Sequence, residues 1–140
     1  MAIRHAELRD LSGIGSLLDQ LGYPAESEYL AKRIEQLISD PNHELLVYED
    51  ADLVSAVMSI HFVPQLALAG DFAIISYLAV DAAARSKGQG KLLEEHCVAL
   101  AKDRKCDRIQ VHCNIRRVDA HRFYERQGFV ESRKYFSKKL

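Results

Sequence analysis

Two glycines in a basic stretch, Gly88 and Gly90, give the clearest indication of chemistry in the sequence. Glycine has no Cβ atom that would keep an anion away from the backbone. The residues that follow show the apolar spacing of a helix, whose first turn presents unpaired N–H groups and the positive end of its dipole. Arg85, Lys87 and Lys91 add positive charge at the same point. After an apolar run, this pattern predicts a strand, a phosphate-binding loop and a helix.

Two common phosphate-binding motifs do not fit this loop. A P-loop requires Ser or Thr after its lysine, but Leu92 follows Lys91. A dinucleotide-binding fingerprint requires a third glycine, and Leu93 stands at that position. A tight connection without a ligand is the alternative for such a loop, so a second segment is needed to decide.

That second segment lies downstream, at Asn114 and at residues 120–129, which read Ala-His-Arg-Phe-Tyr-Glu-Arg-Gln-Gly-Phe. The loop, Arg85-x-x-Gly88-x-Gly90, resembles the acyl-CoA pyrophosphate loop of the GNAT family of N-acetyltransferases. The downstream segment resembles that family's second motif, and the two occur in the family's order and spacing. Within the family, this segment is similar to small-molecule acetyltransferases such as the aminoalkylphosphonate N-acetyltransferases.

The resemblance implies that the chain binds acetyl-CoA as an acetyl donor and moves the acetyl group to the primary amine of a small molecule. The alternatives are a catalytically silent acyl-CoA-binding regulatory module and a protein or peptide N-acetyltransferase. The residues that match the family's cofactor-binding positions are Leu78, Ala79, Val80, Arg85, Ser86, Lys87, Gly88, Gln89, Gly90, Lys91, Asn114, Phe123 and Tyr124.

Acetyl transfer to an amine requires a neutral amine, a stabilised oxyanion and a proton for the departing thiolate. The resemblance implies that the strand before the loop frees main-chain groups for the thioester, and the Val80 N–H is the best oxyanion candidate. It also implies that Tyr124 protonates the CoA sulfur, and a phenol pKa of about 10 roughly matches that of an alkyl thiolate. Val80 and Tyr124 are therefore the predicted catalytic residues. The alternative for Tyr124 is a core aromatic beside Phe123.

The sequence does not identify a general base. Many relatives place a glutamate on the strand before the loop, whereas this strand has no carboxylate. His61, His112, Glu28 and Tyr77 through a water are the alternatives, and solvent is another. The residues expected to line the acceptor site are Tyr23, Glu28, His61, Ser76, Tyr77 and His112.

The periodicity of apolar residues predicts the elements that position these groups. In chain order they are a strand at 3–7, a helix capped by Asp10, a helix ending near residue 39, a hairpin of strands 44–49 and 53–63, a strand at 72–80, the helix after the loop, a strand near 109–113, a helix capped by Asp119 that stops at Gly128, and one or two strands in 129–140. Strict alternation places Val54 and Met58 on one face of their strand and His61 on the other.

The predicted fold is α/β (α+β), of the GNAT type. It has a central mixed, mostly antiparallel sheet of six to seven strands, with about four helices on both faces. Residues 1–140 are expected to form a single domain, because 140 residues with 48% hydrophobic content suit one core.

The composition limits which binding partners and which cellular compartment are expected for the protein. A net charge of -1 gives no general attraction to nucleic acid or membrane, although Arg116, Arg117, Arg122 and Arg126 form a local basic cluster that leaves a nucleic-acid-binding domain as an alternative. No signal peptide or membrane-spanning run is evident, so we expect the cytoplasm. Three cysteines without CxxC spacing suggest free thiols and no metal site. A homodimer is expected from terminal strands that include Tyr135.

Overall fold

The computed structural model describes residues 2–24, 26–112, 117–132 and 135–140. The chain divides into two compact units, Met1–Gln110 and Val111–Leu140. The expectation of a single domain over residues 1–140 stays a prediction. The strands are β1 (Ala2–His5), β2 (His43–Asp50), β3 (Leu53–Val63), β4 (Phe72–Val80) and β5 (Arg108–Val111), and the helices are α1 (Leu11–Leu21), α2 (Ser27–Ser39), α3 (Gln89–Asp103) and α4 (Val118–Arg126).

Within the described residues the sheet has five strands in the order β1-β2-β3-β4-β5, and each of the first three neighbouring pairs is antiparallel. The predicted mixed architecture with four helices is confirmed, but the predicted six to seven strands are wrong. Residues 129–132 and 135–140 contain no strand. Their apolar residues Tyr135 and Phe136 are adjacent, so in a strand they would point to opposite faces and could not bury a common surface.

Helices cover the sheet on both faces. Leu45 and Val47 of β2 share a buried cluster with residues of α1 and α2. Leu46 alternates with them and is equally buried, so it faces the other way. On that opposite side α3 contacts β2, β3 and β4 and buries Leu93 and Cys97 completely. The sheet is therefore apolar on both sides, as a layered α/β arrangement requires.

Asp10 was expected to cap the first helix with its side chain, and it does not. It directly precedes α1, but its side chain makes no cap hydrogen bond there. The carboxylate instead accepts hydrogen bonds from Arg4 at 2.8 and 2.9 Å and from the Glu7 N–H at 2.8 Å. Arg4 also donates to Glu49 of β2, and the Arg4 guanidinium lowers the pKa of Asp10. A buried charge prefers such partners to solvent-facing N–H groups.

The second predicted cap also differs from the structure. Asp119 lies in the first turn of α4, and Arg117 occupies the capping position. The stop at Gly128 is confirmed, because its φ of 91° is the left-handed conformation that glycine adopts easily.

A two-residue turn joins β2 to β3. Ala51 and Asp52 have φ values of 51° and 63°, and positive φ at both central residues is the property of a type I′ hairpin turn. This turn follows the right-handed twist of the strands it connects. The predicted hairpin is therefore confirmed with a short connection.

An extra residue in β3 shifts the register of this hairpin. Val54 lies opposite Glu49. Ala56 lies opposite Tyr48, so Ser55 has no partner of its own on β2. This bulge overturns the strict alternation expected for β3, because Val54 packs against the cluster under α1 and α2, on the same side as Val57.

The same shift brings two histidines together. His43 lies opposite His61, and their ring centroids are 4.5 Å apart. His43 is only 5% exposed. Burial, with a smaller contribution from the neighbouring His61, lowers the pKa of His43 to about 4, and burial also lowers the pKa of His61. Both rings are therefore uncharged at neutral pH.

We predict that the free energy of unfolding falls as the pH drops from about 6.5 to about 4, by on the order of 2 kcal/mol from His43. In this window the unfolded chain binds a proton at His43 and the folded chain does not, so acid favours unfolding. Urea unfolding at pH 7 and pH 4.5 measures the loss, and His43→Gln should reduce it. A ring titration of His43 by NMR with a midpoint near 6.5 would contradict the prediction.

Candidate active site

The loop between β4 and α3 has the geometry expected of an anion site. Residues 85–88 are exposed, and Ser86 and Gly88 have positive φ values of 69° and 82°. A Cβ atom added at Gly88 would meet nothing within 4 Å. The space beside the Gly88 backbone, where a Cβ atom would lie, is thus open.

The first turn of α3 supplies the donors for such an anion. The N–H of Leu92 makes the first intrahelical hydrogen bond, to the Gly88 carbonyl at 3.0 Å. The preceding N–H groups of Gln89, Gly90 and Lys91 have no carbonyl ahead of them within the helix. With exposed Lys87 and Arg85 alongside, these residues fit a pyrophosphate group.

Gln89 contributes to this site only through its main chain. Its side chain is 4% exposed, and its Oε1 accepts a hydrogen bond from the Ser55 hydroxyl at 2.8 Å. Ser55 is the extra residue of the β3 bulge. The Gln89 side chain therefore fixes the start of α3 to the central strand and points away from the solvent side of the loop.

Gln20 of α1 fixes the beginning of the loop, and the sequence alone did not indicate it. Its Nε2 donates to Asp81 Oδ2 at 3.0 Å, and its Oε1 accepts from the Ala82 N–H at 2.9 Å. Asp81 Oδ1 also accepts from the Ala83 N–H at 2.8 Å. The Gln20 amide is the main cause that lowers the pKa of Asp81. An aspartate before three alanines was the available signal for this turn.

Some main-chain N–H groups at the end of β4 point away from β3. The Asp81 N–H donates to the Ser55 carbonyl at 2.8 Å, which points it toward β3. Neighbouring residues of a strand direct their N–H groups to opposite edges, so the N–H groups of Val80 and Leu78 point away from β3. This is the orientation that the oxyanion role predicted for Val80 requires.

Strand β5 begins beside the start of β4 and is the shorter of the two. The Asp107 N–H donates to the Asp71 carbonyl at 2.9 Å, so β5 starts beside the start of β4. Strand β5 has four residues and β4 has nine. As strands of a crossover, the two run parallel, and residues 78–80 extend beyond the last residue of β5.

Strand β4 carries its own bulge beside the acceptor residues predicted from the sequence. Ser59 lies opposite Tyr77. Ile60 lies opposite Ile75, which leaves Ser76 as the extra residue. The Ser76 hydroxyl donates to Ser59 Oγ at 2.9 Å. A bulge of this kind redirects side chains and commonly lies next to functional sites.

The structure brings part of the predicted acceptor set together. Tyr23 and Tyr77 form an edge-to-face ring pair with centroids 5.4 Å apart. Tyr77 directly follows Ser76 in the chain. His61 lies on β3 opposite Ile74. Glu28 is exposed on α2, and its Oε1 lies 3.7 Å from Lys32 Nζ on the same helix. The aromatic pair and Ser76 form one surface, whereas Glu28 is occupied with a neighbour on its own helix.

His43 and Ser59 lie next to this surface, and the sequence did not indicate a role for either. His43 Nε2 lies 2.7 Å from Ser59 Oγ, and both side chains are buried. A regular two-residue hairpin would place His43 opposite Ile60. Only the bulge at Ser55 moves it opposite His61, and nothing in the sequence marks that bulge.

The second unit holds the predicted acid and its neighbours. Tyr124 of α4 is 9% exposed, and its ring makes edge-to-face contacts with Phe123 at 5.2 Å and Phe129 at 5.5 Å. His112 stacks against Tyr135 with ring centroids 4.5 Å apart. Asn114, the remaining cofactor candidate, lies outside the described residues. Aromatic packing thus fixes the orientation of the Tyr124 ring.

A cavity of about 280 Å³ lies in the first unit, between β1, β2 and the end of α2, and His43 is among the residues that line it. None of the residues predicted for the site lines it. Over the ranges that the structure describes, no group of three or more His, Cys, Asp or Glu residues is arranged to hold a metal ion. Within the same ranges, no helix is long and apolar enough to cross a membrane.

The chain is similar in sequence to two characterised types of enzyme. It is 32% identical to glucosamine 6-phosphate N-acetyltransferase 1 of Oryza sativa subsp. japonica, over 92% of this chain and 81% of that protein. It is 30% identical to aminoalkylphosphonate N-acetyltransferase of Salmonella typhimurium, over 99% of this chain and 90% of that protein.

A solved structure shows the same fold, and a family model shows the family. A solved structure described as a transcriptional regulator from Bacillus halodurans C-125 superposes with a TM-score of 0.92 at 26% identity, over 99% of both chains. The model of the acetyltransferase (GNAT) family matches residues 11–129, which include both motifs. The chain belongs to the GNAT acetyltransferase family.

Proposed function

We propose that this protein transfers the acetyl group of acetyl-CoA to the primary amine of a small molecule. The observation that carries the proposal is the loop at Gly88, which is exposed, open beside its backbone and followed by the unpaired N–H groups of α3. Exposed Lys87 adds positive charge. Such a site suits the pyrophosphate of the donor that GNAT enzymes use.

Main-chain groups of β4 and the side chain of Tyr124 are proposed to carry out the other steps of the transfer. Acetyl-CoA supplies the thioester when it is bound. The Leu78 and Val80 N–H groups, which point away from β3, would orient the pantetheine arm and stabilise negative charge on the thioester oxygen. Tyr124 would donate its phenol proton to the departing sulfur, because the two groups have similar pKa values, near 10 for a phenol.

The acceptor is proposed to carry a phosphate or phosphonate in addition to its amine. By name, the two similar enzymes act on glucosamine 6-phosphate and on aminoalkylphosphonates, which both combine a primary amine with an anionic phosphorus group. The aromatic surface of Tyr23 and Tyr77 suits the uncharged part of a small amine.

We expect a thiol-release assay to detect transfer, and to favour amines that bear the anion by at least tenfold in kcat/KM. Matched pairs make the test: glucosamine 6-phosphate against glucosamine, and aminoethylphosphonate against ethylamine. Polyamines, aminoglycosides and N-terminal peptides extend it to other acceptors. Binding of acetyl-CoA without transfer to any amine would contradict an enzyme and support the regulatory module.

Gly88→Val should weaken acetyl-CoA binding at least tenfold, about 1.4 kcal/mol, because the side chain would fill the space beside the loop backbone. Gly22→Val is the matched control. Gly22 also has a positive φ, 98°, with open space at its Cβ position, so it reproduces the backbone strain at another helix end. Calorimetry on both folded variants gives the affinities, and equal affinities would assign the loop a purely connecting role.

Tyr124→Phe should lower kcat by about ten- to a thousandfold while acetyl-CoA affinity stays within about twofold, because the ring packing remains and the proton is lost. The exposed tyrosine of α2 provides the control variant, Tyr29→Phe, which should keep the wild-type kcat. Steady-state kinetics with calorimetry separates the outcomes. A parallel loss of affinity and rate would assign Tyr124 to structure alone.

Assembly as a homodimer and a cytoplasmic location are also proposals. Tyr135 and Phe136 are 67% and 87% exposed, so they offer apolar surface that a second chain could cover. Both cofactor motifs lie within one chain, so each chain would keep its own site. Sedimentation at micromolar concentration measures the mass, and a monomer there would overturn the dimer.

A further inference from the structure

A hydrogen-bonded line of three side chains runs from the surface of β4 into the interior of the sheet. Exposed Ser76, the extra residue of the β4 bulge, donates to Ser59 Oγ at 2.9 Å. Ser59 Oγ lies 2.7 Å from His43 Nε2. Ser59 and His43 are each only 5% exposed. The line therefore begins at the surface that also holds Tyr77 and ends at a buried imidazole.

The Ser76 hydroxyl has two acceptors within reach, Ser59 Oγ at 2.9 Å and the Ser59 carbonyl at 3.3 Å. When it donates to the nearer Oγ, the Ser59 hydroxyl proton is available for His43 Nε2. That arrangement requires the neutral imidazole with its proton on Nδ1. His43 Nδ1 is buried and makes no hydrogen bond of good geometry among the described residues, although the main chain of Leu37 lies within reach of the ring. A buried histidine with a weakly paired ring nitrogen is costly for packing alone.

We propose that His43 is the terminal proton acceptor of the acetyl transfer, reached from the attacking amine through the hydroxyls of Ser76 and Ser59. This inference rests on the proposed function. It supplies the base that β4 lacks as a carboxylate, because Ser76 and Tyr77 directly precede Leu78 and Val80, whose N–H groups point away from β3.

The proton movements balance over the reaction. The amine nitrogen bonds to the acetyl carbon, and the bond from that carbon to sulfur breaks. The amine proton passes to Ser76 Oγ, the Ser76 proton to Ser59 Oγ, and the Ser59 proton to His43 Nε2. Tyr124 gives its phenol proton to the sulfur. Exchange with water then returns the imidazolium proton to solvent and restores the phenol, so no net proton is gained or lost.

The surroundings of the His43 ring are consistent with a group that accepts a proton for a short time. Burial and the neighbouring His61 keep the ring uncharged at neutral pH, so its Nε2 lone pair is available. Asp40 acts in the opposite direction and favours the charged ring, as does the main chain of Leu37. Because the net pKa of His43 is lowered, the imidazolium forms only transiently and readily releases its proton.

Kinetics on variants with acetyl-CoA and the preferred amine test the relay. His43→Gln keeps a hydrogen-bond acceptor for Ser59 but removes the base, and we expect kcat to fall at least tenfold with KM within about threefold. Ser76→Ala, at an exposed position, should cause a similar fall, and Ser76→Thr should restore most of the rate. His5→Gln, at an exposed histidine outside the line, is the control and should keep the wild-type kcat.

A readout without turnover accompanies the kinetics. Ring nitrogen NMR shifts of wild-type protein at pH 7 should show His43 neutral with its proton on Nδ1, and Ser59→Ala should shift the Nε2 signal. A proton on Nε2 would overturn the relay whatever the kinetics. If the wild-type protein is active and both His43→Gln and Ser76→Ala keep its kcat, the relay is overturned and the proposed function stands. Wild-type protein inactive on every amine would overturn the proposed function and the relay with it.

Discussion

The main-chain pairing of β3 with β2 on one side and β4 on the other is the constraint on which the site depends. Each ladder contains one extra residue, Ser55 against β2 and Ser76 against β3. Since a strand's side chains alternate with a period of two, one extra residue changes which side chains meet. Without the bulge at Ser55, His43 would not lie opposite His61, and without that at Ser76, Tyr77 would not lie opposite Ser59.

Side chains from other elements hold the anion-binding loop before any ligand arrives. Gln20 reaches from α1 to Asp81, and Gln89 reaches from α3 to Ser55. The loop backbone is thus tied at both ends to elements whose packing is buried. A loop fixed in this way loses little conformational entropy on binding an anion, so its N–H groups act as pre-oriented donors.

The sequence predicted elements well where their patterns were long. Strands 53–63 and 72–80 match the structure, because their apolar runs end in clear turn residues. It failed at Asp10, where an ion pair with Arg4 competes with helix capping. It also failed in residues 129–132 and 135–140, where too few apolar residues alternate. The roles assigned to Val80 and Tyr124 stay predictions. His43 was not foreseeable, because its partners depend on bulges that no local pattern encodes.

The two-residue turn at Ala51–Asp52 also affects the order in which the sheet can assemble. Closing so short a loop costs little chain entropy, so β2 and β3 can find their register through contacts that are near in sequence. Strand β5 can join only after the long crossover through α3 has been ordered. The contacts that align the polar line between β2, β3 and β4 are therefore among the most local and the fastest to form, and those that complete the far edge of the sheet are among the slowest.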